Sequence, residues 1–351
     1  MSEHLLALET SCDETAVAIV SDGGQVVASR VHTQIDLHAL YGGVVPELAS
    51  RDHLARILPL VDETLREAEM SLEEMTCIAA TAGPGLVGAL LVGLQTAKGL
   101  ALASGRPLVG INHLEAHLAA ILLEDEWPTT PFLALLVSGG HTTLYEVQDA
   151  SGGEGDRERW SVRRIGGTRD DAAGEAFDKS ARLLGLPYPG GRALDQLAAG
   201  GDPEAVPLPR GMMHRPEPDF SFSGLKTAVR LHVEREGVPE GQALADLCAS
   251  IRAAIVEPLV KKTVRAAEGL GVNEVLLCGG VAANGTLRQT LEQALAAEGR
   301  RLFVPRPAYC TDNAAMVGAA GWMAFRGGGR SPMNLNADPG WKPGGVGPHH
   351  V

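Results

Sequence analysis

Two histidines four positions apart, His113 and His117, are the residues whose types and spacing most directly suggest chemistry. They stand in the segment NHLEAH, at the start of a predicted helix. Residues i and i+4 share one face of an α-helix, so both imidazoles can bind a single cation. On spacing alone, two ordinary histidines of a packed helix explain the pattern equally well.

A carboxylate is predicted to complete this site. Asp312 follows the segment RLFVPRP, which corresponds in the second half of the chain to the strand before the two histidines. Ligand sites of α/β folds lie at the carboxyl ends of strands. We therefore expect Asp312 to face the histidines from the second half. Two imidazoles and one carboxylate suit Fe(II) or Zn(II).

The segment is not the helix of a zinc metalloprotease. That helix carries H-E-x-x-H, with the glutamate directly after the first histidine. Here Glu115 stands two residues after His113, about 200° around the helix. We expect Glu115 to point away from a cation bound by the histidines, which argues against peptide hydrolysis.

The elements that must position these residues repeat along the chain. Strand, hairpin, helix, strand, helix, strand and helix occur in this order twice, with a helical insertion in the second copy. This order predicts an α/β protein with the duplicated actin, Hsp70 and sugar-kinase (ASKHA) fold, two lobes around a cleft. The predicted division is 1–128 for the N-terminal lobe, 129–326 for the C-terminal lobe with the insertion at about 170–270, and 327–351 for a Gly- and Pro-rich flexible tail.

The first hairpin turn of each half contains small and hydroxyl residues. These turns read ETSCDET at 9–15 and SGGHTT at 138–143. Successive backbone N–H groups in such turns can bind an anion. Ordinary hairpin turns remain the alternative for each.

Charge and cysteine usage restrict the partners and the compartment. The formal net charge of −13 predicts weak binding of nucleic acid by this chain alone. Five scattered cysteines without a C-x-x-C pair predict reduced thiols and a cytoplasmic protein, and no secretory signal is expected. The apolar segment 86–103 is interrupted by Gln95 and Lys98, so we expect a buried helix and no membrane span.

Nine segments together resemble the TsaD family over residues 5–325. They read LALETSCDETAVAIV, YGGVVPELASRDH, AGPGLVGALLVG, INHLEAHLAA, LLVSGGHTTL, DDAAGEAFDKSARLLGLPYPGG, DFSFSGLKTA, GGVAANGTLR and YCTDNAAM. The resemblance implies transfer of a threonylcarbamoyl group from threonylcarbamoyl-adenylate to N6 of adenosine 37 in tRNAs that read codons beginning with A. The modified nucleoside is t6A, and AMP leaves.

The same resemblance implies site residues. The implied metal ligands are His113, His117 and Asp312, for one divalent ion per subunit, with Fe(II) favoured over Zn(II). The implied substrate-binding residues are Leu136, Val137, Ser138, Gly139, Gly140, Asp178, Gly191, Asp195 and Asn284. From the residues alone, Asp178 could pair with Arg182 and Asn284 could cap a helix.

The catalytic base and the partners are less directly indicated. Asp13 and Glu14, in the first hairpin turn, are candidates for assisting the amine, and a turn role explains them equally well. The implied partners are the tRNA anticodon loop, threonylcarbamoyl-AMP, and TsaB-like and TsaE-like proteins. The alternatives are an ATPase or phosphotransferase of the same fold and a non-catalytic scaffold, neither of which needs the two-histidine, one-aspartate site.

Overall fold

The computed structural model describes residues 2–150 and 160–344. Its strands are β1 (His4–Glu9), β2 (Glu14–Ser21), β3 (Val26–Thr33), β4 (Cys77–Gly83), β5 (Leu108–Asn112), β6 (Phe132–Val137), β7 (Thr142–Asp149), β8 (Trp160–Gly167), β9 (Glu274–Cys278) and β10 (Arg301–Phe303).

Helices connect these strands and follow them. They are α1 (Ile35–Ala39), α2 (Pro46–Glu67), α3 (Val87–Ser104), α4 (His113–Ala119), α5 (Ala173–Leu183), α6 (Gly190–Ala198), α7 (Ser223–Glu236), α8 (Gly241–Leu270), α9 (Gly285–Ala297), α10 (Pro307–Cys310) and α11 (Ala314–Arg326). Helices α5 to α8 occupy the insertion predicted at about 170–270.

Two five-stranded sheets confirm the predicted duplication. The first has the order β3-β2-β1-β4-β5, and the second has β8-β7-β6-β9-β10. Both sheets therefore place the first strand of their half at the centre, with the hairpin on one side and the later strands on the other. β1 runs parallel to β4, and β6 runs parallel to β9.

The first sheet is covered on both faces because its central strand is apolar on both. Successive side chains of a strand point to opposite faces. Leu5 and Ala7 pack in one cluster with residues of α4 and α11, whereas Leu6 and Leu8 pack in another with residues of α2 and α3. Both clusters are buried, so the sheet carries helices on each side.

Helix α3 is apolar but is buried along one face only. Ala89, Leu90 and Leu94 are fully buried, whereas Leu102 is 75% exposed. Among the described residues it is the one helix long and apolar enough to cross a membrane. A single helix of this kind is weak evidence for a span, because core helices of soluble proteins also meet this criterion.

The chain forms two compact units, and each unit is built from more than one stretch of the sequence. The first unit is Met1–Thr130, Val147–Arg163 and Pro305–Val351, and the second is Pro131–Glu146 and Arg164–Val304. The predicted division at 128 and 326 differs from this one, because residues from 305 onward return to the first unit. Asp312 therefore belongs to the same compact unit as the histidines, whereas the sequence predicted it on the C-terminal lobe.

The segment predicted to be a flexible tail packs on the first unit where the structure describes it. Leu335 is 1% exposed in the core of the first unit, and Ser331 pairs with β5 at Leu108. Asp338 donates its backbone N–H to the Ala82 carbonyl at 2.8 Å. The segment from Ser331 thus packs on the first unit through its backbone as well as its side chains. Residues 345–351 lie outside the described residues.

Candidate functional site

Helix α4 begins at His113 because Asn112 caps it. The Asn112 side-chain oxygen accepts hydrogen bonds from the backbone N–H groups of Leu114, at 2.9 Å, and Glu115, at 3.2 Å. This cap satisfies two of the N–H groups that a helix leaves unpaired at its start. It fixes where the helix starts, and hence where both histidines lie.

The three predicted metal ligands come together in the first unit. One ligand atom from each of His113, His117 and Asp312 lies within 4.8 Å of the others. The Asp312 Oδ1 atom is 3.1 Å from Nε2 of His117 and 3.6 Å from Nε2 of His113. The two rings are 4.7 Å apart and nearly perpendicular, so they do not stack on each other.

The hydrogen bonding of His117 shows whether these three residues fit a cation. Its side chain is fully buried, and neither ring nitrogen has a hydrogen-bond partner among the described residues. Its Nε2 is close to Asp312 in distance, but the two groups do not make a hydrogen bond. Since buried polar atoms are normally paired, the group fits a metal ion.

A buried carboxylate that the sequence reasoning missed orients His113. Glu9 is fully buried, and its Oε2 lies 3.1 Å from the Nδ1 atom of His113. Thr81 donates its hydroxyl to Oε2 at 2.5 Å, and Ser11 donates its N–H to Oε1 at 2.6 Å. The sequence did carry one signal for this role, because Glu9 is a charged residue at the end of the apolar strand LLALE. With Nδ1 engaged, Nε2 is the ring nitrogen left for a cation.

Charge compensation accounts for the pKa shifts of this pair. Burial lowers the pKa of His113, but the Asp312 and Glu9 carboxylates outweigh it and raise that pKa to about 9. Burial likewise raises the pKa of Glu9, but the charge and hydrogen bond of His113 outweigh burial and lower it. The cluster therefore favours positive charge between its carboxylates.

Glu115 does not take part in this cluster, as predicted. Its Oε1 accepts a hydrogen bond from the backbone N–H of Gly344 at 2.7 Å. Burial raises the pKa of Glu115, although the Gly344 bond lowers it in part. The carboxylate therefore anchors the C-terminal segment to α4.

The candidate catalytic carboxylates lie in the same unit, at the start of β2. Glu14 is half-buried, and its Oε1 accepts a long hydrogen bond from the Thr33 hydroxyl at 3.4 Å. Burial raises the pKa of Glu14 to about 10, and the nearby Asp312 and Asp13 carboxylates add to this shift. Burial and these two carboxylates therefore favour the neutral form of Glu14.

The predicted substrate loop divides into a buried part and an open part. Leu136 and Val137 are fully buried in β6, so only their backbone groups can reach a ligand. Ser138 donates its N–H to the His141 carbonyl at 2.8 Å, which closes a turn. A side chain added at Gly139 or Gly140 would meet nothing within 4 Å.

Two further glycines of the second unit bring backbone close to this loop. A Cβ atom at Gly174, in the first turn of α5, would lie 2.6 Å from the Ser138 carbonyl oxygen. One at Gly279, which has a φ of +92°, would lie 2.4 Å from the Val137 carbonyl oxygen. Sequence reasoning did not single out either glycine. Their absent side chains let α5 and the end of β9 pack directly against the loop.

Three of the predicted nucleotide-binding residues lie on α5 and α6. Asp178 accepts a hydrogen bond from the backbone N–H of Gly191 at 2.9 Å, so the structure brings these two residues together. Asp195, one turn further along α6, pairs with Arg252 at 3.1 Å. Both carboxylates thus have protein partners as well as exposed surface.

Asn284 caps a helix, the role that the residues alone allowed. Its Oδ1 accepts a hydrogen bond from the backbone N–H of Leu287 at 2.8 Å, at the start of α9. Because that oxygen is engaged, the Nδ2 donor is the group that a ligand would use.

Comparison with protein families and curated sequences gives matches over nearly the whole chain. The sequence profile of the TsaD family, described as tRNA N6-adenosine threonylcarbamoyltransferase, matches residues 25–319. The protein of that name from Anaeromyxobacter sp. is 55% identical over 340 residues, covering 97% of this chain and 99% of the relative. The one from Geobacter sulfurreducens is 52% identical over 337 residues, covering 96% of both.

Solved structures share the fold at low sequence identity. HypF from T. kodakarensis has a TM-score of 0.58 at 14% identity, covering 93% of this chain and 48% of HypF. Component A of the (R)-2-hydroxyglutaryl-CoA dehydratase of Acidaminococcus fermentans has a TM-score of 0.53 at 16% identity, covering 91% of this chain and 98% of that one. These neighbours have the ASKHA fold, in agreement with the fold predicted from the duplicated element order.

Proposed function

Because the chain belongs to the TsaD family of tRNA N6-adenosine threonylcarbamoyltransferases, we propose that it forms t6A in tRNA. The threonylcarbamoyl group passes from threonylcarbamoyl-adenylate to N6 of the adenosine next to the anticodon. A bond forms between N6 and the carbamoyl carbon, the bond from that carbon to the phosphate oxygen breaks, and AMP leaves. The attacking amine loses one proton.

One divalent ion held by His113, His117 and Asp312 is part of this proposal. The observation that carries it is the fully buried His117, whose ring nitrogens have no hydrogen-bond partner among the described residues. Two imidazoles and a carboxylate favour Fe(II), with Zn(II) as the alternative. A bound cation supplies Lewis-acid polarisation of the donor.

The loop Ser138–Gly140 is proposed to bind the acyl phosphate part of the donor. Its glycines carry no side chain that would block an approaching anion, and the N-terminal end of α5 packs against it. Backbone N–H groups and a helix N-terminus both favour negative charge. A well-placed donor of this kind contributes about 3 kcal/mol to an oxyanion-like transition state.

The remaining predicted residues are proposed to bind the nucleoside part. Asp178 and Asp195 can accept hydrogen bonds from ribose hydroxyls, and Gly191 permits close approach beside Asp178. Asn284 can donate from Nδ2 to a hydroxyl or a base edge. Leu136 and Val137 contribute backbone groups only, since their side chains are buried.

Asp13 and Glu14 are proposed to act on the amine. The proton released on attack passes to one of these two carboxylates. General acid–base assistance of this kind contributes roughly 100-fold or more to a rate.

The proposed partners follow from the substrate and the charge. An anticodon loop presents unstacked bases, so its amine can be reached without melting a duplex. With a net charge of −13, this chain is expected to bind tRNA weakly by itself, and TsaB-like and TsaE-like proteins are proposed to assist it. A cytoplasmic location suits the tRNA substrate and the five free cysteines.

A reconstituted assay tests the proposed function. The chain is supplied with threonine, bicarbonate, ATP, an adenylate-forming enzyme, the partner proteins and unmodified tRNA, and digested nucleosides are measured by mass spectrometry. We expect t6A to accumulate and to be absent when this chain is omitted. Absence of t6A in the complete mixture would refute the proposal.

A further inference from the structure

A buried polar cluster beside the first hairpin turn has no role in the function proposed above. Thr15, Gln34, His38 and His53 are each at most 2% exposed, and all belong to the first unit. Burying four polar side chains is costly unless their hydrogen bonds are made. Each polar atom of the cluster is therefore expected to donate or accept a hydrogen bond.

The carbonyl of Cys12 fixes the state of His53. The Nε2 atom of His53 lies 3.0 Å from this carbonyl oxygen, which can only accept a hydrogen bond. Nε2 therefore carries the proton and donates. In a neutral ring Nδ1 is then an acceptor. Two donors face Nδ1, the Thr15 hydroxyl at 2.7 Å and the Gln34 side-chain nitrogen at 3.3 Å.

The backbone N–H of Val45 fixes the state of His38 in the same way. It lies 3.2 Å from the Nδ1 atom of His38 and can only donate, so Nδ1 accepts. The Nε2 atom of His38 then carries the proton and donates to the Gln34 side-chain oxygen at 3.0 Å.

Gln34 joins the two ends without a conflict. Its side-chain oxygen accepts from His38, and its nitrogen donates to His53. The hydrogen bonds therefore run in one direction, from Val45 through His38, Gln34 and His53 to Cys12. An imidazolium at His53 would set an N–H against the Gln34 side-chain nitrogen, which can only donate. Burial also lowers the pKa of His53, which agrees with a neutral ring.

This series of bonds ends on the turn that carries the candidate catalytic carboxylates. His53 holds the carbonyl of Cys12, and the backbone N–H of Gln34 donates to the carbonyl of Asp13 at 3.1 Å. Two successive carbonyls before Glu14 are thus held from one side. At the other end, the loop before Val45 carries Leu40 and Tyr41, whose side chains are 82% and 58% exposed.

We propose that Gln34 and His53 are positioning residues. Through one directional set of neutral side-chain hydrogen bonds, they hold the Cys12–Glu14 turn in the geometry that threonylcarbamoyl transfer requires. The inference rests on the proposed function in assigning Asp13 and Glu14 to the amine. Neither residue is required to touch the substrate. A displacement of a reacting group by about 1 Å costs on the order of 100-fold in rate.

Gln34→Glu tests the direction of the bonds with little change in shape. Glutamate offers only acceptors when ionised, so the set can no longer be both neutral and directional. His53 must either turn its proton to Nδ1, which leaves a bare Nε2 against the Cys12 carbonyl, or take up a second proton, which places a cation beside the Cys12–Glu14 turn. We expect kcat for t6A formation to fall about 100-fold, with the KM for tRNA and the bound metal unchanged. Gln95→Glu, on the exposed face of α3, is the matched control and should retain the wild-type rate.

Two substitutions of His53 separate positioning from packing. His53→Gln keeps a donor near the position of Nε2, whereas His53→Asn reaches only the position of Nδ1. We expect His53→Gln to retain kcat within a few-fold and His53→Asn to lose about 100-fold, at similar melting temperatures. Equal activity of the two variants, or a wild-type kcat in folded Gln34→Glu, would overturn the proposal.

A measurement of tautomers tests the proposal independently of activity. In the full chain labelled with ¹⁵N-histidine, nitrogen shifts report which ring nitrogen carries the proton. We expect neutral, Nε2-protonated rings for His38 and His53 at neutral pH. An Nδ1-protonated or charged ring at either residue would overturn the proposal. If the wild-type chain forms no t6A, the proposed function fails, while the tautomers still decide whether the directional set exists.

Discussion

At the scale of single residues, His113 illustrates how a buried carboxylate can define a ligand. Its Nδ1 lies 3.1 Å from Glu9 Oε2, so the ring presents Nε2 toward Asp312 and His117. Outer partners of this kind orient the ring and raise its basicity. Glu9 is itself held by Thr81 and Ser11, which donate to different oxygens of its carboxylate.

Replacing Glu9 by glutamine is expected to weaken metal binding without removing a ligand. Both carboxylate oxygens accept hydrogen bonds, so an amide nitrogen at either position faces a donor. We expect metal affinity to fall about 10- to 100-fold, measured by competition with a chelator of known affinity. Glu3→Gln, at an exposed position, should bind as the wild type does. Unchanged affinity in Glu9→Gln would show that Glu9 does not orient the ring.

Sequence reasoning identified His113 and His117 as candidate ligands at this scale, but it did not identify Glu9, which supports His113. The i, i+4 spacing of His113 and His117 is local, and therefore readable. The contact between Glu9 and His113 spans 104 positions and depends on how β1 and β5 lie in one sheet. A local sequence pattern cannot predict a contact between residues so far apart in the sequence.

At the scale of elements, the packing of α5 against the loop at Ser138 depends on one missing side chain. In Gly174→Ala the new Cβ would lie 2.6 Å from the Ser138 carbonyl oxygen and 2.8 Å from the Gly139 Cα. Helix or loop must shift, and we expect kcat/KM for the adenylate donor to fall about 100-fold. Steady-state kinetics with purified donor measure this effect.

Gly269→Ala is the matched control for that substitution. Gly269 lies within α8, and an added Cβ meets nothing within 4 Å. Alanine favours a helix over glycine by about 1 kcal/mol, so stability should rise slightly and kinetics should not change. A similar kinetic loss in both variants would contradict the packing argument.

The start of α7 gives a prediction with a defined pH dependence. Asp170 accepts hydrogen bonds from the backbone N–H groups of Phe222, at 2.7 Å, and Ser223, at 3.1 Å. Burial raises the pKa of Asp170, but the hydrogen bonds of Ser221, Phe222 and Ser223 outweigh it and hold the pKa below its usual value. The carboxylate therefore stabilises the fold above the unfolded-state pKa, and this contribution is lost as pH falls through the lower, folded-state value.

Asp170→Asn is expected to cost about 1 kcal/mol of unfolding free energy at pH 7, as for the loss of a helix cap. The difference from the wild type should shrink below about pH 4, where the wild-type carboxylate itself becomes protonated. Urea unfolding at several pH values measures it. Asp125→Asn, at an exposed position, should show no such trend. A difference that grows toward acid pH would contradict this account.

At the scale of the whole molecule, the C-terminal segment is part of the first unit. Leu335 is 1% exposed and packs in the cluster that includes Leu6, Leu8 and Ile78. Leu335→Ala should lower the free energy of unfolding by about 2 to 4 kcal/mol. Met333→Ala, 46% exposed in the same segment, should change it by less than about 0.5 kcal/mol. Equal effects in thermal unfolding would contradict the described packing.

The element order of the whole molecule could be predicted, whereas the return of its last segment could not. Continuous apolar runs such as Leu5 to Leu8 specify strands buried on both faces, and their repetition specifies two matching sheets. In the sequence, the segment after Pro305 directly follows the strands of the second half, so it is predicted to complete that half. Its α11 nevertheless packs on the first sheet, where Gly318 and Gly321 permit close approach to Val20 and Ala79.

The central claim is that t6A formation by this chain depends on a cation held by His113, His117 and Asp312. Metal content and t6A yield, measured on the same samples before chelation, after chelation and after addition of Fe(II), test it most directly. We expect about one ion per chain, loss of t6A on chelation, recovery with Fe(II), and no recovery in His117→Ala. An undiminished rate of t6A formation in demonstrably metal-free protein would contradict the account.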